Sequence, residues 1–249
     1  MAIQLNDRDH LIFKLIDEHE VLLEKHISWF IAGDEKPVLI RDRLRKLFYL
    51  DYLICHRHGS KLPWWTTPTK PLVYMLSSMA RQMEGLAESP DDVMDNDFQR
   101  HHLEVANLRM LFLVAQKNGE ISNFQWTTIK GDTSSGLNAI VTFMTGGRTL
   151  KVGLVNNLSA DESKLERLKE TQEQFNLDHV LIISRDEISQ KSLTNAVSAW
   201  GKDLSGKAFF ATHQDIYKEG MIGINWQTVV SESNGNVVQF ANLNTPIAV

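Results

Sequence analysis

The sequence has a single cysteine, Cys55, so no disulfide can form within the chain. It has no run approaching the ~20 apolar residues that a membrane-spanning helix needs. Its first ten residues are polar and acidic, without the basic-then-apolar order of a signal peptide. We find no internal repeat and no low-complexity tract. These absences argue against a disulfide scaffold and a membrane protein, and we expect a cytoplasmic protein in a reducing compartment.

Charge is unevenly distributed along the 249 residues. The net charge of −5 by itself disfavours binding to nucleic acid. Yet the segment from Lys36 to Lys70 has eight basic and two acidic residues, a net +6, which leaves −11 for the rest of the chain. Because affinity for DNA follows the local field rather than the total charge, this segment is a candidate DNA-binding surface. The alternative is an ordinary solvated charged face.

Residues 1–85 have the pattern of three helices followed by a β-hairpin. The apolar spacing predicts a first helix from about Asp7 to Glu18 and a second from Glu20 to Ala32, which Gly33 ends. A third helix is predicted over Pro37–Tyr49, because proline suits the first turn, where its missing N–H costs nothing. Two consecutive helices with a short turn between them are typical of a helix-turn-helix.

The third predicted helix separates apolar from basic side chains. Ile40, Leu44 and Leu47 fall on one face, whereas Arg41 and Arg45 share another. A recognition helix needs this arrangement, with one face packed on the domain and the other entering the major groove. We therefore predict a DNA-binding winged helix-turn-helix with Arg41 and Arg45 nearest to bases or phosphates. We expect mainly backbone contacts from four further residues: Arg43, Lys46, Arg57 and Lys61.

The predicted hairpin would form the wing. Strands at about 52–55 and 72–75 can pair, which leaves Arg57, His58 and Lys61 at the tip. Side chains at a wing tip can contact phosphates or the minor groove, although an ordinary solvated turn is the alternative.

Two other features of the hairpin favour structural roles. Cys55, His56 and His58 could suggest zinc, but no second cluster lies at a suitable spacing, so we predict no metal site. We expect Trp64 and Trp65 to pack the hairpin against the helices rather than stack on bases.

An acidic stretch at 86–97 predicts a linker to a second domain at 98–249. The sequence pattern indicates an α/β fold for that domain, so together with the helices and hairpin of the first domain we expect an α+β chain overall. The predicted elements are a helix at 97–118, strands at 124–129, 139–145 and 149–155, a helix at 160–175 capped by Ser159, a strand at 179–184, a helix at 188–200, a strand at 208–212, and a hairpin of strands 226–231 and 237–240 that turns at Asn234-Gly235.

This order of elements resembles the restriction-endonuclease-like, or PD-(D/E)XK, core. Such nucleases hold Mg²⁺ with acidic residues on adjacent strands and use a nearby lysine. Where the resemblance places acids, this chain has Asn138 and Asn156, and neutral amides bind Mg²⁺ far less well. Glu104 remains as an isolated acid. Residues 162–164 match the E-x-K pattern, but they lie at the start of a predicted helix, where helix capping accounts for the acidic residue. We therefore predict a degenerate, catalytically inactive domain without a cofactor.

Four stretches together resemble the replication-relaxation family of plasmid and integrative-element proteins. They are LNDRDHLIFKLIDEHEVLLEKHISWFIAG, RDRLRKLFYLDYLI, HHLEVANLRMLFLVAQKNG and GLNAIVTFMTGGRTLKVGLVNN. The resemblance covers most of the chain up to about residue 185. It implies DNA binding in plasmid mobilisation, as part of the relaxosome, in replication, or in their control. Because Asn138 and Asn156 replace an acidic pair found in relatives, an accessory or regulatory role is favoured over a nicking one.

Three hypotheses follow. The first is an accessory or regulatory protein that binds double-stranded DNA, with relaxosome proteins such as a relaxase as possible partners and with a homodimer to match paired half-sites. The second is an active Mg²⁺-dependent nicking enzyme, for which Glu104 would be a required acid. The third is a protein-interaction module whose winged helix binds a protein.

Overall fold

The computed structural model describes residues 4–130, 136–200, 204–232 and 235–243. The chain divides into two compact units, which we call unit 1 (Met1–Val114) and unit 2 (Ala115–Val249). The described residues form eight helices and ten strands, so the chain is a mixed α+β protein, as the sequence predicts. None of the described helices combines the length and the apolar character that crossing a bilayer requires.

Unit 1 combines helices with a three-stranded antiparallel sheet of order β1-β3-β2. Its elements are α1 (Asp7–His19), β1 (Leu22–Leu23), α2 (Glu24–Ala32), α3 (Pro37–Tyr49), β2 (Leu53–Arg57), β3 (Leu72–Leu76), α4 (Ser78–Glu84) and the first part of α5 (Asn96–Lys117). The predicted first and third helices are confirmed, and so is the hairpin of β2 and β3.

Local chemistry explains where the helices of unit 1 begin and end. Asn6 and Asp9 form a capping box at the start of α1. Gly33 ends α2 in the left-handed conformation, with a φ of 55°. The predicted start of the second helix at Glu20 is wrong. Glu20 has a φ of 58°, which breaks the helical path, and the buried pair Leu22–Leu23 joins the sheet as β1 before α2 begins.

The central strand β3 is covered on both faces. Tyr74 and Leu76 belong to the core formed with α1, α2 and α3. Val73 and Met75 face a second apolar cluster that contains Trp64, from the β2–β3 loop, and Leu103, from α5. Trp64 therefore packs in the interior, as predicted.

This second cluster also explains why the chain does not divide at the predicted linker, 86–97. Leu103 lies beyond the acidic stretch and is fully buried against unit 1's own sheet. The compact unit consequently continues to Val114, inside α5.

Unit 2 is built on a seven-stranded sheet of order β4-β5-β6-β7-β8-β9-β10. Strands β4, β5 and β6 form an antiparallel meander, β6, β7 and β8 run parallel, and β9 and β10 are antiparallel. After the end of α5 the elements are β4 (Ser122–Thr128), β5 (Leu137–Thr145), β6 (Arg148–Asn156), α6 (Glu162–Gln174), β7 (His179–Ser184), α7 (Glu187–Trp200), β8 (Ala208–Thr212), α8 (His213–Glu219), β9 (Trp226–Glu232) and β10 (Gly235–Ala241).

Two details of unit 2 differ from the sequence prediction, and one lies outside the structure. The N-cap of α6 is Asp161 rather than Ser159, and its side chain accepts from the backbone N–H of Ser163. Helix α8 was not predicted, because its seven residues follow β8 directly, with Thr212 as the cap. The turn predicted at Asn234-Gly235 includes Asn234, which lies outside the described residues.

Candidate nucleic-acid interface

Helix α3 exposes a broad face opposite its buried residues Ile40, Leu44 and Leu47. Arg45 lies at the middle of this face, 3.9 Å from the exposed carboxylate of Asp42, with 66% of its side chain exposed. The next residue, Lys46, is also exposed. Tyr49 extends the same face by one turn and is 78% exposed. A cationic, exposed helix face of this kind can meet a polyanion without any rearrangement of the core.

Arg41 and Arg43 lie on the two flanks of α3 and are bound to carboxylates of other helices. Arg41 donates to Glu24 of α2 over 2.8 Å and remains half exposed. Arg43 donates through two guanidinium nitrogens to the buried carboxylate of Asp9 on α1, one of them over 2.6 Å. The predicted DNA contact of Arg43 does not fit this geometry, because its charge is already compensated inside unit 1.

Asp9 is held ionised by these contacts. Burial alone would raise the pKa of its carboxyl group, but hydrogen bonds from Arg43 and from the backbone N–H of Asn6 outweigh burial. The pKa of Asp9 therefore lies below its ordinary value of 3.8. The Asp9–Arg43 pair joins α1 to α3 and fixes the orientation of the helix that presents Arg45.

The loop between β2 and β3, residues 58–71, supplies a second group of cations. Arg57, at the end of β2, is exposed and donates to the carbonyl oxygen of Lys70 over 2.7 Å, which holds the two ends of the loop together. Lys61 and Lys70 are exposed. Within the part of the chain that the structure describes, Lys46, Lys61 and Lys70 have no ion-pair partner. Their charge is therefore available to a ligand.

His58 does not belong to this exposed group, contrary to its predicted role as a DNA contact. Its side chain is fully buried, and Nδ1 lies 3.3 Å from Oε1 of Gln99, which also lies 3.1 Å from Nε2 of His56. Burial lowers the pKa of His58 below its ordinary value, so the ring is neutral at physiological pH. His58 thus joins the end of β2 to α5 instead of facing a ligand.

Unit 2 brings together the two asparagines that replace the expected acids. The side-chain oxygen of Asn138 accepts from the backbone N–H of Asn156 over 2.6 Å, across β5 and β6. The side-chain oxygen of Asn156 lies 2.7 Å from Nε2 of His213. Both Asn156 and His213 are buried. Sequence reasoning missed His213, and its position directly after a buried strand was the only available signal.

Where these strands end, two amide side chains and one imidazole form a hydrogen-bond network. Among the described residues, no group of three His, Cys, Asp or Glu side chains is arranged to hold a metal ion. Glu104, the isolated acid, belongs to unit 1 and is fully buried, where its carboxylate accepts from Arg100 over 2.9 Å. Asn138 and Asn156, by contrast, belong to unit 2.

A scan of the chain against protein-family models and a search of curated proteins both returned no match.

Proposed function

We propose that the protein binds double-stranded DNA through unit 1, as an accessory or regulatory factor. The observation that carries this proposal is the exposed basic face of α3, centred on Arg45 and Lys46. The order of elements supports it. Helix α1 is followed by β1, the pair α2 and α3, and a hairpin, with a sheet of order β1-β3-β2. This is the order expected of a winged helix-turn-helix, in which the second helix of the pair enters the major groove.

The two basic groups suit different parts of a duplex. An arginine on a recognition helix can donate two hydrogen bonds to O6 and N7 of guanine, and we assign this role to Arg45. Lys46 and the exposed lysines of the β2–β3 loop, Lys61 and Lys70, would bind phosphates, which position the protein without reading sequence. Arg41 is available only if it leaves Glu24, so we assign it a secondary role.

Unit 2 supports an accessory rather than a catalytic role. Its antiparallel meander followed by parallel strands is consistent with a restriction-endonuclease-like domain. At the position of the expected acids, Asn138 and Asn156 are bound to each other and to His213. Together with the resemblance to replication-relaxation proteins, this favours a role in mobilisation, replication or their control over DNA nicking.

A direct test is to titrate labelled duplex DNA with three proteins. The duplexes come from the genetic neighbourhood of the gene, with a random duplex as reference. The proteins are the wild type, the Arg45→Ala/Lys46→Ala variant and a matched control, Arg167→Ala/Lys191→Ala. The control removes the same charge from exposed positions on α6 and α7 of unit 2.

We expect the control to bind as the wild type does and the α3 variant to bind at least about tenfold more weakly, since a good bidentate base contact alone contributes ~1–3 kcal/mol. Equal binding by all three proteins, or no binding by the wild type, would remove the DNA-binding role of α3.

One observation favours a second candidate, a protein partner for the same helix. Val38 and Leu39 at the start of α3 are more than half exposed, and Tyr49 at its end is exposed further. Exposed apolar and aromatic side chains are typical of protein interfaces. If the wild type binds no duplex while Val38→Asp abolishes capture of a defined relaxosome protein, this candidate replaces the first.

A further inference from the structure

Among the strands that the structure describes, β10 lies at one end of the sheet of unit 2, with β9 as its neighbour. Its sequence, GNVVQFA, has no charged residue and no proline. The seven residues of β10 pair with β9 in one continuous register, without a bulge. A regular, uncharged strand at a sheet edge presents a row of backbone groups on which another strand can add.

The opposite edge of the sheet is irregular. In β4 the register with β5 shifts between Ser122 and Gln125. Asn123, inside this bulge, has a φ of 53°. Bulges of this kind bend an edge strand and discourage pairing with another chain. The bulge in β4 therefore discourages strand addition at that edge of the sheet, and β10 has no such bulge.

The apolar layer under α6 and α7 continues to the β10 edge, where it is exposed to water. Val238 of β10 lies opposite Val229 of β9, which is buried in this layer. Asn236, two residues before Val238, lies on the face of the sheet that α7 covers, because its side chain donates to the carbonyl oxygen of Ser198 on α7. Phe240 lies on this face too and is 69% exposed, and Val238 is also exposed. Such a patch is typical of an interaction surface.

We propose that a second copy of this chain pairs with β10 in antiparallel orientation, so that the two sheets become one. A two-fold axis makes such an interface self-complementary. In a register centred on Gln239, Val238 of each copy lies opposite Phe240 of the other, and aromatic with β-branched pairs stabilise antiparallel strands. This inference does not depend on DNA binding.

Charge favours a second copy over a peptide of another protein. Because β10 is neutral, a two-fold pairing places no like charges opposite each other, which would otherwise destabilise it. A charged peptide would find no opposite charge on this strand. In the register centred on Gln239, residues 237–241 of the two strands lie opposite each other, which makes five residues from each copy. This interface is small beside the about 1,600 Å² of a standard one, so we expect a dimer with a micromolar dissociation constant.

The test is sedimentation velocity over a concentration series with the full chain. The proteins are the wild type, Phe240→Lys and a matched control, Ile188→Lys. Ile188 is an apolar residue of α7 in the same unit and is 83% exposed, so its substitution adds the same charge away from the edge. We expect the wild type and the control to dimerise alike, and Phe240→Lys to weaken dimerisation by about tenfold or more, because the substitution removes the contact between Phe240 and Val238 and places a charge on the edge strand.

Hydrogen exchange of the wild type at low and high concentration tests the same proposal without any variant. We expect the amides of β10 to gain protection as the concentration rises, while those of β4 do not change. A wild type that stays monomeric throughout the series overturns the proposal. So does a dimer that is as tight in Phe240→Lys as in Ile188→Lys, or that forms without protection of β10.

Discussion

At the scale of single residues, the Asp9–Arg43 pair connects the interior of unit 1 with its candidate interface. Asp9 is fully buried and serves both as a partner of Arg43 and as a member of the capping box of α1. Removing one member of a buried pair leaves the other uncompensated, which usually costs more than the pair contributes. We therefore expect this contact to be sensitive to substitution although it touches no ligand.

For Asp9→Asn we predict a loss of about 3 kcal/mol in the free energy of unfolding at pH 7, the lower end for a buried pair, because Arg43 can partly turn to solvent. The pKa of Asp9 is lowered in the folded protein, so its contribution is complete above the ordinary value of 3.8 and is lost as the pH falls through the folded pKa. Urea unfolding at several pH values measures this. A difference between wild type and variant that stays constant below pH 3.8 would contradict the assignment.

The same residues show how far the sequence could lead. Helical periodicity correctly placed Arg45 outside and Leu44 inside. It could not show that Arg43, on the flank of the helix, meets an acid 34 positions earlier in the chain. Nor could it show that His58 is buried against Gln99, since both contacts depend on tertiary packing.

At the scale of elements, the β2–β3 loop is structural as well as basic. Trp64 and Leu62 cover the outer face of β3 together with Leu103 of α5. The neighbouring Trp65 is only partly buried and donates its indole N–H to the carbonyl oxygen of Thr69 within the loop, over 2.6 Å. Trp64 therefore fixes the loop to the core of unit 1, while Trp65 stabilises the loop by a hydrogen bond within it.

We predict that Trp64→Ala lowers the free energy of unfolding by about 3 kcal/mol, as expected for a buried tryptophan, whereas Trp65→Ala lowers it by only about 1 kcal/mol. Chemical denaturation of the two variants side by side provides the measurement. Equal losses would mean that Trp64 does not anchor the loop.

Elements with a strong apolar pattern were predicted well, whereas the two-residue strand β1 and the helix α8 were not. Helix α3 and strands β7 and β8 have the predicted bounds. The two-residue strand β1 was taken as part of a helix, because two adjacent leucines fit either pattern. What decides their structure is the pairing with Val73 and Tyr74, which are distant in sequence.

At the scale of the whole molecule, the mixed α+β architecture and the presence of two units follow from the alternating patterns. The position of the boundary between the two units, however, cannot be derived from these patterns. An acidic, proline-containing stretch usually marks a linker, but here α5 continues to cover the sheet of unit 1 beyond it. The division depends on where apolar side chains pack, which composition alone does not specify.

The uneven charge of the chain also matters at this scale. With a net charge of −5, the protein as a whole repels DNA, so binding has to depend on a local basic surface. The central claim is that α3 provides this surface.

The salt dependence of duplex binding tests this claim most directly. For the wild type and for Arg45→Ala/Lys46→Ala, the logarithm of the binding constant is measured against the logarithm of the salt concentration, with Arg167→Ala/Lys191→Ala as control. Each lost phosphate contact reduces the slope by about one. We predict a slope shallower by about one to two for the α3 variant, depending on whether Arg45 binds a base or a phosphate, and an unchanged slope for the control. Identical slopes for all three proteins would contradict the claim that α3 contacts DNA.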